Sequence, residues 1–164
     1  MNHRPDSAQR AILFREALAS GLYVAIVLVG AVVAVPVASL PGDLQMALLV
    51  LGSAVGLVLA HWFAFRLASH LAEAGWRSRD AVEEGVAQLV GGLVVATVAA
   101  LPFVILSGAT ARAVSLGLLL AMPGVAGAMV LRQRGRSWPA SVVAGLVESG
   151  LAGVIVWLKL ALAH

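Results

Sequence analysis

A carboxylate and an imidazole occupy positions in this chain where ionisable groups are expensive. Taking the first apolar run to begin at Leu18, Glu148 is the one acid well inside such a run, seven residues past Ser141 in the last of them. A carboxylate at that depth must be paired, protonated or hydrated. It is therefore either hydrogen-bonded glue between helices or a site for a proton or cation. His61 lies near the end of the second run, and Tyr23 and Gln88 lie early in the first and third. Read as helices, these segments bring all four residues to a similar depth. Facing inward, they would form a polar pocket open to one side of a membrane.

Metal chemistry is less well served. His61 and His70 are nine positions apart, which puts them on opposite sides of one helix. With no cysteine in the chain, thiolate sites and disulfides are excluded. Neither a Walker nor a dinucleotide-binding glycine pattern occurs, Gly91-Gly92 lacking the rest of either. The reading implies no cofactor and no metal. An intramembrane enzyme would need paired catalytic groups at one depth, and His61 with Glu148 is the only such pair. The chain is accordingly read as a non-enzyme.

The elements that must hold these groups are clear from composition. Hydrophobic residues make up 61% of the 164 positions and charged residues 12%, with a mean hydropathy of +0.98. Soluble domains carry roughly a quarter charged residues, so the chain needs lipid around it. Apolar runs fall at 18–40, 44–71, 86–107, 113–131 and 141–163, each about the ~20 residues that cross a bilayer as a helix. Residues 1–16 form a short polar lead. Asp80, Glu83 and Glu84 suit the start of the third helix, where acids meet the positive end of the dipole. The sequence predicts an all-α membrane bundle of five spans in a single domain.

Arginine distribution gives a direction. One set of connections carries Arg4, Arg10 and Arg15, then Arg77 and Arg79, then Arg132, Arg134 and Arg136; the opposite loops carry Arg112 alone. Positive charge stays inside, so the N-terminus is expected in the cytoplasm and the C-terminus outside, in a bacterial inner membrane. The same distribution explains the pI near 10.6 without nucleic acid. The basic lead and the small residues near Val37-Ala38-Ser39 also resemble a cleavable signal. The run is long for that role, and a retained helix is expected.

Polar and aromatic residues near the run ends read as anchors. Trp62, Phe63 and Phe65 form an aromatic belt, Arg66 and His70 follow on one exit face about 140° from His61, and Trp157 with Lys159 mark the other boundary. Small residues recur every fourth position at Gly52, Gly56, Ala60, Ala64, Ala68 and Ala72, and again at Gly145, Ser149 and Gly153. Such stripes let helix backbones approach closely, so they are expected to be central packing surfaces. Pro102 and Pro123-Gly124 are expected to kink the third and fourth helices, the second of these being a candidate helix break of the transporter kind.

The segments AHWFAFRLASHL (Ala60–Leu71) and VWLKLALAH (Val156–His164), with Tyr23, resemble a group of short actinobacterial integral membrane proteins. That resemblance implies a multi-span helical protein and carries no activity. The residues point to a small transporter or channel-like protein for protons, a cation or a small solute, working as a homo-oligomer or with a membrane partner. The alternative is an accessory membrane protein that docks a partner without transport.

Overall fold

A computed structural model describes residues 7–36, 42–71 and 79–162. They form α1 (Ser7–Ala34), α2 (Asp43–Leu71), α3 (Arg79–Ile105), α4 (Gly108–Gln133) and α5 (Trp138–Leu162), with no strand among the described residues. All five helices are long and apolar enough to cross a membrane. The chain is an all-helical, multi-pass membrane bundle.

Helices α2, α3, α4 and α5 pack in chain order as a row, and α1 lies against all of them, most closely against α3. Helix α1 starts earlier than the apolar run suggests and stops at Ala34, because Val35 precedes Pro36 and is driven out of helical geometry. Residues 37–40, the final part of the expected first span and the small-residue motif, lie outside the described residues.

The interior is apolar. Val24, Leu28 and Val32 of α1 meet Met46, Val50 and Ala54 of α2, Ala96, Ala99 and Phe103 of α3, and Leu119 of α4, all buried. The buried polar side chains among the described residues are Ser115, whose hydroxyl donates to the Ala99 carbonyl at 2.7 Å, and Ser141, which donates to the Ser137 carbonyl at 3.1 Å. Each offsets the desolvation of its own oxygen locally.

The close approaches are not where the longer small-residue stripe lies. Gly91 of α3 abuts the Ala17 backbone of α1, and a methyl group added there would collide with the Ala17 carbonyl. A methyl on Gly92 would strike Val58, and one on Gly21 would come within 3.3 Å of the Gly91 carbonyl. By contrast, Gly52, Gly56 and Ala60 are exposed, and nothing stands within 4 Å of a methyl built at Gly52 or Gly56. The expectation of a central α2 stripe is corrected for the single chain. Ala54 is one of the buried residues of α2, and a two-residue step turns a helix by about 200°, so Gly52 and Gly56 on either side of it face away. The shorter stripe divides. Gly145 lies 2.5 Å from the Gly124 carbonyl once a methyl is added, and Ser149 faces the same glycine, but Gly153 is open.

Helix α4 runs unbroken through Pro123-Gly124, and α3 runs through Pro102. No helix break of the transporter kind is present at Pro123-Gly124. Gly124 instead gives α5 room to approach. At the arginine-poor end the charged residues serve the fold. The Gly108 N–H donates to Asp43 Oδ1 at 2.8 Å, and Arg112 donates to the Val35 and Val33 carbonyls at 2.7 and 3.2 Å. Arg112 thus satisfies carbonyls that the end of α1 leaves without helical partners.

Candidate functional site

Three of the four residues singled out for chemistry come together, around an acid that sequence reasoning passed over. Glu16, Ser20 and Tyr23 follow one another at steps of four and three on α1, so they share a face. Gln88 of α3 donates its amide N–H to Glu16 Oε2 at 3.0 Å. Arg15 pairs with Glu16 Oε1 at 3.0 Å from an exposed position, leaving the Glu16 side chain 23% exposed. From α2, the His61 ring stands 6.3 Å from the Tyr23 ring at a tilt of 36°, and His61 is within electrostatic range of Glu16.

The site has a polar end and a closed end. Tyr23 and His61 are both exposed, so the expectation of His61 pointing into the bundle is corrected to a position on its flank. It follows Ala54 by seven residues, nearly two full turns, and so continues the α1-facing side of α2. The ring leans on Tyr23 rather than entering the core. Deeper along α1 the next inward residues are Val24, Leu28 and Val32, all buried. The polar face therefore stops after Tyr23.

Glu148 is set apart. Its helix, α5, packs on α4 and on part of α1, at the far end of the row from α2. The carboxylate lies against Gly127 of α4, where an added methyl would collide with it, and the residue is exposed. No hydrogen bond or ion pair joins Glu148 to His61, so the four-residue pocket is not assembled as expected. The reason is the packing order: α2 and α5 stand at opposite ends of the row, and the Glu148 carboxylate is turned onto α4.

The anchors are partly described. Arg66 lies 5.7 Å over the Trp62 ring, and Trp62 also covers Gly85 at the start of α3. Trp157 is 65% exposed, as an anchor in the interface requires. His70 and Lys159 fall within α2 and α5, but their side chains lie outside the described residues, as does Ala72. Among the described residues no group of three or more His, Asp or Glu side chains could hold a metal.

Glu16 was missed because the apolar run was taken to begin at Leu18. The available signal was the Glu16–Ser20–Tyr23 spacing, which marks one polar face on an otherwise apolar helix.

Chemically, the cluster offers a carboxylate oriented by an amide and a guanidinium, with an imidazole and a phenol beside it. Carboxylate and imidazole are both side-chain types that can take up or give up a proton. Both can also attract a small cation or present a hydrogen-bonding edge to a solute. No protein-family model, no curated protein and no solved structure matches the chain.

Proposed function

We propose that this chain is a small transporter or channel-like protein for protons or a small cation, with Glu16, Gln88, His61 and Tyr23 as its loading site. The observation that carries this reading is the Gln88–Glu16 hydrogen bond across α1 and α3, beside His61 of α2. It fixes a carboxylate, with ionisable and aromatic neighbours, at one end of a membrane bundle. The arginine bias of that end favours the cytoplasmic side of a bacterial inner membrane. Arg112 adds to that argument, since the one arginine at the other end is engaged by α1 carbonyls.

Transfer past the cluster needs a route, and among the described residues apolar side chains fill the interior of the single chain. The reading therefore places transfer along a seam between copies. The filled core is also the observation that favours the second reading, an accessory membrane protein that docks a partner.

Proteoliposomes with an internal pH dye separate the two. The transporter reading expects a pH-gradient-driven flux above empty liposomes, lost in Glu16→Gln and reduced in His61→Asn. Glu148→Gln tests the remote carboxylate: unchanged flux leaves Glu148 as packing against Gly127, and lost flux makes it a second station. Wild-type flux equal to that of empty liposomes, for protons and for alkali cations alike, gives the accessory reading the field.

A further inference from the structure

We propose that the groove between α1, α3 and α4 holds one acyl chain of an anionic glycerophospholipid, with the phosphate between Arg10 and Arg132. This goes beyond the ion-handling reading and uses a different face of the molecule. The groove has a volume of about 460 Å³. Its walls are apolar throughout, from Phe14 to Leu22 on α1, Val90 to Val94 on α3 and Leu118 to Met129 on α4. Gly21 and Gly91 are part of the lining, where the α1–α3 approach is close.

Its length fits one leaflet. From Met129 to Leu118 the α4 wall runs about 16 Å at 1.5 Å per residue. One leaflet is half of the ~30 Å hydrocarbon core. The groove therefore spans a single leaflet, and it starts at the arginine-rich end.

Charge is placed where the headgroup would lie. Arg10 precedes Phe14 by four residues, so it is on the groove face of α1 about 6 Å beyond the end of the groove. Arg132 follows Met129 by three, on the groove face of α4 and about 5 Å beyond. Both are exposed. Arg132 is held in place by its Trp138 ring contact at 5.8 Å and its 3.2 Å bond to the Arg136 carbonyl. The α3 wall brings an acid, Glu83, on the same face, and the Glu16–Gln88 and Ala17–Gly91 contacts place it level with Arg10. Two guanidinium groups and one carboxylate thus stand about the phosphate level, a net positive charge. Arginine forks suit phosphate oxygens.

Native mass spectrometry of the purified protein tests this, with dioleoylphosphatidylglycerol and dioleoylphosphatidylcholine titrated into the detergent. The expected result is one tightly held phosphatidylglycerol and weaker phosphatidylcholine. Arg10→Gln and Arg132→Gln should each weaken phosphatidylglycerol roughly five-fold, at about 1 kcal/mol per arginine near a lipid surface, and phosphatidylcholine less, because choline offsets the phosphate charge. Ala121→Trp fills the groove from its exposed side and should weaken both lipids, and an unchanged melting temperature shows that it folds. Val94→Phe serves the same purpose if that variant does not fold. Equal retention of the two lipids by the wild type overturns the proposal, as does wild-type binding by a folded groove-filled variant. A dimer that the groove-filled variant dissociates would assign the groove to a second copy and overturn it equally.

Discussion

Glu16 and Gln88 show how a single hydrogen bond across two helices changes the meaning of both residues. Alone, Glu16 reads as the companion of Arg15 at the start of a span, and Gln88 as a polar residue near the start of another. Joined at 3.0 Å, they hold a carboxylate that is only 23% exposed. Hydrogen bonds to charged groups contribute more than neutral ones. Gln88→Leu is expected to destabilise the chain by about 1.5 kcal/mol, the low end of the range for charged groups, because Arg15 still pairs with the acid. In a Glu16→Gln background the loss should shrink, since the charge is gone. A double-mutant cycle of melting temperatures in detergent measures the coupling. Additive effects would show that the bond carries no energy and that Glu16 is held by Arg15 alone.

Helix pairing depends on which glycines meet a neighbour. The α1–α3 and α4–α5 pairs close on Gly91 and on Gly124 with Gly145, where an added methyl meets backbone that cannot move aside cheaply. Gly91→Ala is expected to cost about 1–3 kcal/mol by overpacking. Gly56→Ala has open space and should be neutral, or gain up to ~1 kcal/mol of helix propensity. Thermal unfolding of the monomer in detergent compares them. The ordering expected from the α2 stripe alone, with Gly56→Leu worse than Val58→Leu, reverses in the single chain because Val58 is buried against α3. A melting temperature lowered by Gly56→Ala as much as by Gly91→Ala would mean that the α2 stripe is covered by another copy in detergent.

At the scale of the whole molecule, α1 lies against every other helix, and α2 and α5 stand farthest apart in the row. The arginine bias, read with five crossings, expects the two termini on opposite sides of the membrane. A reporter fused after His164 is therefore expected outside and one after Arg134 in the cytoplasm, as the arginine bias requires. Alkaline phosphatase and green fluorescent protein fusions read these positions directly. Both reporters on one side would remove α5 from the membrane, and Glu148 with it.

Much of this protein was legible from composition and order alone. A chain with 61% hydrophobic residues in five long runs has few ways to satisfy its backbone in lipid other than as helices. The runs at 44–71 and 141–163 lie close to α2 (Asp43–Leu71) and α5 (Trp138–Leu162). The depth of Tyr23, His61 and Gln88 followed from counting residues along each helix. What no count along one helix can give is the rotation of each helix about its axis and the order in which helices pack. Those are set by contacts between residues far apart in sequence. They turned Gly52 and Gly56 outward, drew Glu16 to Gln88 across 72 positions and sent Glu148 to the far end of the row. Depth is a local property of a membrane helix, whereas azimuth and neighbourhood belong to the folded bundle, and the site depends on both.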